Sequence, residues 1–171
     1  MKLSNRLLKE ISSAHAESKT ENFKFFFDAE AKYDVPAAYF KFTIPTGTYE
    51  GQTHVLRMKF SHEDTRGQYK YPISPPNVVF VTPPPFHVNV SRTGGICLDT
   101  LQHNWIPSIN IVAVYKTVLA LLEDPNNSSA YRSEAHFSDT PKFFDKVKEN
   151  YIKNQNRQPA IMYAPEWEET A

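Results

Sequence analysis

The sequence contains little cysteine, little glycine and no net charge. Cys97 is the only cysteine in 171 residues, so the chain can form neither an internal disulfide nor a zinc site built from several cysteines, and we expect no metal ion. A single thiol fits the reducing interior of a cell, meaning the cytoplasm, the nucleus or both. Lys plus Arg and Asp plus Glu each total 19, so no overall field attracts the chain to nucleic acid or to an anionic membrane. We expect neither as a partner.

Long apolar runs and a recognisable leader are also missing. The longest apolar stretch, 109–122, is interrupted by polar residues and is too short to cross a bilayer. The N-terminus passes directly into an amphipathic pattern without the apolar core and cleavage site of a signal peptide. The length is that of one domain, which we place at residues 1–153, followed by a polar tail at 154–171.

Apolar periodicity predicts an α+β fold. A spacing of four predicts an N-terminal helix over 3–15, and period-two alternation predicts four strands near 23–27, 40–44, 56–60 and 77–82. Modest connections between consecutive strands favour an antiparallel meander. Ser108 is expected to cap a central helix over 109–123, and a short helix is expected over 131–137. Thr140 and Pro141 begin the last helix.

Residues 83–108 show no periodicity but are too apolar to be disordered, so we expect an ordered, packed loop. This loop contains Cys97, just after a pair of glycines that allow a sharp turn. On composition alone a lone cysteine is more often inert than catalytic. A cysteine hydrolase using His87 or His103 as its base is conceivable, but no nucleophile signature supports it. Asn89 offers either an oxyanion donor or a turn-stabilising amide.

An ordered set of motifs at fixed spacing runs through the chain: Tyr71-Pro72-x-x-Pro75-Pro76, His87-x-Asn89, Gly95-x-Cys97-Leu98, Trp105-x-Pro107 and Asp124-Pro125-Asn126. In this set the chain resembles the ubiquitin-conjugating enzyme (E2) family. The resemblance covers roughly residues 1–153, and it is the order and spacing together that make it specific. It implies the family's catalytic fold, with an N-terminal helix, a four-stranded meander, an ordered active-site loop, and central and C-terminal helices.

The resemblance implies a role for each matching residue. Cys97 would accept ubiquitin from an activating enzyme as a thioester and pass it to a lysine or to a ligase, since a thiolate both attacks and leaves readily. Asn89 would stabilise the oxyanion or hold the loop, and His87 and Asp99 would support that loop. Ser129 stands where the family often has an acid that orients or deprotonates the attacking lysine, although a serine there is equally an ordinary helix cap.

The resemblance also implies partners: ubiquitin, an activating enzyme, a ligase and protein substrates. No cofactor is expected, because the activating enzyme is the one that uses ATP. By resemblance the ligase would contact Ile73, Pro107 and Ser108, and the activating enzyme would contact Arg6 and Lys9 on the first helix. Local charge of that kind speeds encounter and fixes register.

Three departures from the family pattern keep alternatives open. Val88 replaces the usual proline of His-Pro-Asn, Ser129 carries no charge, and the segment 61–70 is longer than usual. This insertion would either retune ligase choice or be a tolerated surface loop. The alternatives are a catalytically weak scaffold of the same fold, which the retained Cys97 argues against, and a conjugating enzyme for another ubiquitin-like modifier.

Overall fold

A computed structural model describes residues 3–30, 36–60 and 70–157. Within them lie three α-helices and four β-strands, in the chain order α1 (Asn5–Glu17), β1 (Phe23–Asp28), β2 (Ala37–Thr43), β3 (Thr53–Lys59), β4 (Asn77–Phe80), α2 (Ile111–Glu123) and α3 (Pro141–Asn154). The predicted α+β class is confirmed. Most of the predicted insertion, 61–69, and the tail from 158 lie outside the described residues, and the domain boundary stays a prediction. None of the described helices is long and apolar enough to cross a membrane.

The four strands form one antiparallel sheet in sequence order, which confirms the predicted meander. Phe25 pairs with Phe40, Phe40 with Leu56, and Leu56 with Phe80, so a row of apolar side chains crosses the sheet on one face. Helix α2 covers this face: the ring of Tyr115 stacks on Phe40 at 4.9 Å between centroids. The alternating aromatic residues are therefore core.

Helix α2 is the apolar central helix that the sequence predicts, but it begins two residues later. Its cap is Asn110, whose side chain accepts a hydrogen bond from the N–H of Ala113 at 2.8 Å. The prediction that Ser108 caps the helix is wrong. Both residue types can cap a helix, and here the chain enters the helical conformation only after Asn110.

The chain after α2 remains largely irregular. Only a single 3₁₀ turn, Ser133–Ala135, forms where a helix was predicted over 131–137. The backbone N–H groups of Tyr131 and Arg132 both donate to the carbonyl of Val88, at 2.9 and 3.0 Å. These bonds fasten the segment to the active-site loop, and the helix predicted over 131–137 is wrong. Helix α3 begins as predicted, with Thr140 accepting from the N–H of Phe143.

A buried carboxylate joins α1 to the loops around it. Glu10 accepts hydrogen bonds from the Arg6 guanidinium at 2.7 Å, from the Tyr71 hydroxyl, and from the N–H of Ile111 at 3.1 Å. The last of these satisfies an unpaired donor at the start of α2. Burial, with the Glu10 carboxylate next, raises the pKa of Tyr71 above its ordinary range. Glu10 thus fixes α1 against the Tyr71–Pro72 loop and against α2.

Candidate active site

The loop between β4 and α2 is ordered, as predicted, and is fastened to the sheet. Val79 bridges to Gly95, and Val90 bridges to Ile96. Gly94 has a φ of +94°, and a Cβ on it would lie 2.2 Å from the carbonyl oxygen of Phe80. Only glycine fits a left-handed conformation pressed so closely against a strand. The glycine pair therefore turns the chain so that Cys97 follows directly at the surface.

Cys97 is half-buried at the edge of a small cleft of about 170 Å³. The cleft is also lined by Asn89, Asp99 and Ser129, with Leu98 and Leu121 as apolar wall. Three of the sequence-predicted active-site residues therefore come together around the thiol. The backbone N–H of Cys97 donates to the carbonyl of Asn89 at 2.9 Å, which fixes the spacing between the two residues.

The Cys97 thiol is not activated by a base in this structure. Burial, with a smaller contribution from the Asp99 carboxylate, raises its pKa above the ordinary value. Among the described residues, no histidine ring is hydrogen-bonded to the thiol, which argues against a cysteine hydrolase built on His87 or His103. A thiol of this kind suits attack on an acyl group that is already activated.

Asn89 is fully buried and its carboxamide is committed to the protein. Its Nδ2 donates to the carbonyls of Asn126 and Ser129, at 2.8 and 2.9 Å, and its Oδ1 accepts from the N–H of Asn126 at 2.8 Å. Both amide hydrogens and the oxygen are thus used in holding the turn after α2 against the active-site loop. Of the two roles proposed from the sequence, this geometry supports the loop-holding one.

His87 is also fully buried and supports the same loop. Its Nδ1 accepts from the N–H of Asn89 at 3.0 Å, so the proton is on Nε2, which donates to the carbonyl of Leu121 at 2.9 Å. Burial lowers the pKa of His87 to about 4. An imidazolium would place a second N–H against the donor of Asn89, so the neutral ring is the one that fits.

Asp99 and Ser129 contribute largely through their backbones. The Asp99 carbonyl accepts hydrogen bonds from the N–H groups of Gln102, His103 and Asn104, which closes the 3₁₀ turn Asp99–Leu101. The exposed Asp99 carboxylate adds to the raised pKa of the Cys97 thiol. Ser129 is half-buried, and its carbonyl is one acceptor of Asn89. It ends a 3₁₀ turn, Asn127–Ser129, whose cap is Asn126, so the alternative that Ser129 is itself a cap is wrong.

The residues predicted to contact a ligase lie on two loops that are tied together. The Trp105 indole N–H donates to the carbonyl of Pro72 at 2.8 Å, which joins the Pro72–Ile73 loop to the loop carrying Pro107. Ile73 is 79% exposed, and Pro107 and Ser108 are exposed as well. The neighbouring Ile106, at 58% exposed, enlarges this apolar surface and was missed by the motif comparison.

The two basic residues proposed for the activating enzyme differ in their surroundings. The Arg6 guanidinium is paired with Glu10, and that carboxylate raises the pKa of Arg6 above its ordinary value. Lys9 lies on the same helix, exposed, and has no ion pair among the described residues. The structure therefore leaves Lys9 as the freer of the two charges.

Sequence reasoning missed two further parts of the site. Asn126 supplies two of the three backbone groups that hold the Asn89 carboxamide, although it was used only as a member of the Asp-Pro-Asn motif. Tyr49 donates from its buried hydroxyl to the carbonyl of Phe86 at 2.8 Å, directly before His87. Within the described part of the chain, no group of three or more His, Cys, Asp or Glu side chains is placed to hold a metal ion.

The family model and three similar proteins that match this chain all carry the same description. A family model described as ubiquitin-conjugating enzyme matches residues 6–152. A protein of Fusarium solani named "Ubiquitin-conjugating enzyme E2 2" is 37% identical over 109 residues, which is 62% of this chain and 67% of that protein. Proteins of the same name from Aspergillus fumigatus and Neurospora crassa are 36% and 37% identical over the same length and the same shares of each chain.

Proposed function

The chain belongs to the ubiquitin-conjugating enzyme family, and on that premise we propose that Cys97 is the residue that carries ubiquitin. Members of this family transfer ubiquitin through a thioester, which requires a thiol at the active site. Cys97 is the only cysteine in the sequence, and it lies at the mouth of the cleft formed by the family's motifs. This one observation carries the assignment.

The first step is an exchange of thioesters. The Cys97 thiolate attacks the carbonyl carbon of the thioester between ubiquitin and the activating enzyme, and the activating enzyme's thiolate leaves. Because one thioester replaces another, the step needs no strong base, which agrees with a thiol whose pKa is raised by burial. The small fraction of thiolate present near neutral pH is enough for a nucleophile of this strength.

In the second step a lysine amine attacks the Cys97 thioester, and the Cys97 thiolate leaves as the amide forms. The proton released from the amine passes to solvent or to the departing thiolate. Ser129 lines the cleft and offers its hydroxyl to orient the incoming amine, but it supplies no negative charge. Asn89 acts as a positioning residue, because its amide holds Asn126 and Ser129 beside the thiol.

The partners follow from where the exposed residues lie. Lys9 is assigned to the activating enzyme together with the more constrained Arg6, and Ile73, Pro107 and Ser108 are assigned to the ligase. Ubiquitin is the expected modifier, the activating enzyme supplies the ATP-dependent step, and protein lysines are the acceptors. The proposed location is the cell interior, in the cytoplasm or the nucleus, because a single reactive thiol is maintained there.

Thioester charging tests this assignment. The protein is mixed with an activating enzyme, ATP and ubiquitin and is run on a gel without reductant. We expect a band larger by one ubiquitin that reductant removes, and Cys97→Ser should give a band that resists reductant, because an oxygen ester replaces the thioester. If no band forms with ubiquitin, nor with ubiquitin-like proteins paired with their own activating enzymes, the catalytically weak scaffold becomes the better description.

A further inference from the structure

A basic groove lies beside the active-site loop and has no part in the steps above. It is a cavity of about 420 Å³ between the Pro83–Pro84 segment and the C-terminal half of α3. Four basic side chains line it: Arg92, Arg132, Lys153 and Arg157, which we call the basic groove residues. The chain as a whole carries no net charge, so this is a local concentration of positive charge.

The groove is preorganised around Arg132. Only 11% of the Arg132 side chain is exposed, and its guanidinium lies over the ring of Phe86, 4.7 Å from the centroid. Glu134 accepts from Arg132 at 3.1 Å and from the Nε of Arg92 at 2.9 Å. A backbone hydrogen bond and then the Arg92 guanidinium lower the pKa of Glu134 to about 2, so its carboxylate is charged.

Glu134 cannot neutralise the groove alone. It offers one negative charge against four positive ones, and it is hydrogen-bonded to Arg92 and Arg132. Among the described residues, Lys153 and Arg157 form no ion pair with an acidic side chain. Bringing like charges together around a concave site raises the potential there and favours an anionic ligand. The side chains of Asn150 and Asn154 also line the groove, and each has a buried Oδ1 with no hydrogen-bond partner. Turning these amides would present donors to an anion.

The groove is coupled directly to the site of transfer. The backbone of Arg132 donates to the carbonyl of Val88, the next residue is Asn89, and the Asn89 carbonyl holds the N–H of Cys97. Two hydrogen bonds and one peptide unit therefore separate the groove from the thiol-bearing residue. A peptide whose lysine reaches Cys97 can place residues a short distance along its chain in the groove.

We propose that the basic groove binds an acidic segment of the protein that receives ubiquitin, and so favours acceptor lysines that have Asp or Glu nearby. This inference rests on the proposed function, because it concerns the acceptor in the second step. The groove is a single cavity of about 420 Å³, and outside its four basic residues the sequence has 15 basic against 19 acidic residues. A local positive site on an otherwise acidic chain fits a brief acidic peptide better than the long phosphate backbone of a nucleic acid.

Binding can be measured without any transfer reaction. The probe is a fluorescent peptide with one lysine followed by a run of glutamates, compared with the same peptide carrying glutamines, and binding is followed by fluorescence anisotropy. We expect the acidic peptide to bind more tightly, with an affinity that falls as salt is added. The double variant Lys153→Glu with Arg157→Glu should bind it about tenfold more weakly, because two weak attractions become repulsions.

The matched control reverses the same number of positive charges on α3, away from the groove. Lys142 and Lys146 are exposed on α3 and do not line the groove, so Lys142→Glu with Lys146→Glu should bind the acidic peptide within about twofold of the unchanged protein. Circular dichroism checks the folding of both pairs. If the groove pair loses helix, Lys153→Gln with Arg157→Gln replaces it, and a smaller loss of about threefold is then expected.

Transfer separates the failure of this inference from the failure of the proposed function. Protein that carries ubiquitin as a thioester on Cys97 is mixed with each peptide, and the loss of the thioester is timed. The inference is supported if ubiquitin passes faster to the acidic peptide than to the glutamine peptide. This preference should be lost in Lys153→Glu with Arg157→Glu and kept in Lys142→Glu with Lys146→Glu, while both double variants form the Cys97 thioester equally well. Normal charging of Cys97 with equal discharge to both peptides would overturn the inference alone. Absence of charging would instead count against the proposed function.

Two further results would assign the groove to another occupant and overturn the inference. One is tighter binding of a single-stranded oligonucleotide than of the acidic peptide at the same salt concentration. The other concerns the acidic residues near the end of the chain. If Glu166→Gln, Glu168→Gln and Glu169→Gln together strengthened peptide binding by tenfold or more, the groove would belong to this chain's own acidic segment. We expect these changes to leave the affinity within about twofold.

Discussion

Asn89 and Asn126 are joined by two hydrogen bonds that run in opposite directions. The Asn89 amide nitrogen donates to the Asn126 carbonyl, and the Asn126 N–H donates back to the Asn89 amide oxygen, each at 2.8 Å. With a third bond from Asn89 to the Ser129 carbonyl, this pair holds the turn after α2 beside Cys97. The active site is therefore built from two loops, and the buried Asn89 side chain, together with the backbone bonds from Tyr131 and Arg132 to Val88, holds them together.

Replacing Asn89 with Ala should lower stability as well as activity. Three hydrogen bonds from a fully buried side chain are lost, at about 1 kcal/mol each, so we expect the free energy of unfolding to fall by about 2–3 kcal/mol. Discharge of ubiquitin to lysine should slow, because Ser129 and Asn126 lose their fixed positions. Urea unfolding and timed discharge from the charged protein measure the two effects.

The matched control for Asn89 is Asn104, which lines the same cleft but is exposed, and whose side chain makes no hydrogen bond among the described residues. Asn104→Ala should change the free energy of unfolding by less than about 0.5 kcal/mol. If Asn89→Ala slowed discharge while leaving stability unchanged, the residue would be acting on the oxyanion and the positioning role would be wrong.

Ile73 is expected to act in ligase binding rather than in stability. Its side chain is 79% exposed, so Ile73→Ala should leave the unfolding free energy within about 0.5 kcal/mol of the original. Discharge stimulated by a ligase should fall by about tenfold, the loss typical of an apolar anchor in an interface. Unstimulated charging of Cys97 should not change.

Ile152 provides the matched control, because it is an isoleucine of similar exposure, 71%, on α3. Ile152→Ala should leave both stability and ligase-stimulated discharge unchanged. The comparison requires a ligase domain that stimulates the unchanged protein, chosen first from a panel. Equal losses from Ile73→Ala and Ile152→Ala would show that the Ile73 loop is not the ligase surface.

The sequence predicts the order of the elements well because each of them has an apolar face of regular period. Strands β1 to β3 alternate around phenylalanine and leucine, and α2 is apolar enough to be recognised as the central helix. Boundaries are less certain, because Ser108 and Asn110 are both good capping residues. Which of them caps α2 depends on how the preceding loop is held, and that is a tertiary effect.

The site was predicted residue by residue only through motifs, and the roles of those residues depend on long-range contacts. The amide of Asn89 reaches a turn 37 residues away, and no local pattern shows that both its ends are occupied there. Arg132 looked like part of a helix, whereas its backbone is tied to Val88. The four basic groove residues are far apart in the sequence and come together only in the folded chain.

Asp99→Asn should lower the pKa of the Cys97 thiol. Burial is the larger cause of its raised pKa, and the Asp99 carboxylate adds to it by disfavouring a nearby thiolate. Removing that charge increases the thiolate fraction near neutral pH, so alkylation by iodoacetamide should become faster and its pH profile should move to lower pH. Asp145→Asn on α3 is the control and should leave the profile unchanged. A profile that moved equally in both variants would show a general charge effect rather than a local one.

Stability should decrease as the pH falls from about 6.5 to about 4. Burial lowers the pKa of both His54 and His87 to about 4, so between these values the unfolded chain binds protons that the folded chain does not. Between these pH values each histidine changes the free energy of unfolding by up to about 1.4 kcal/mol per pH unit. The stabilisation from the neutral histidines is complete above pH 6.5 and is lost as the pH falls toward 4. His54→Gln should therefore reduce the slope of unfolding free energy against pH by about one proton, as measured by urea unfolding at several pH values. His103 is exposed and serves as the control, so His103→Gln should keep the original slope. An unchanged slope in His54→Gln would instead mean that His54 is protonated in the folded protein.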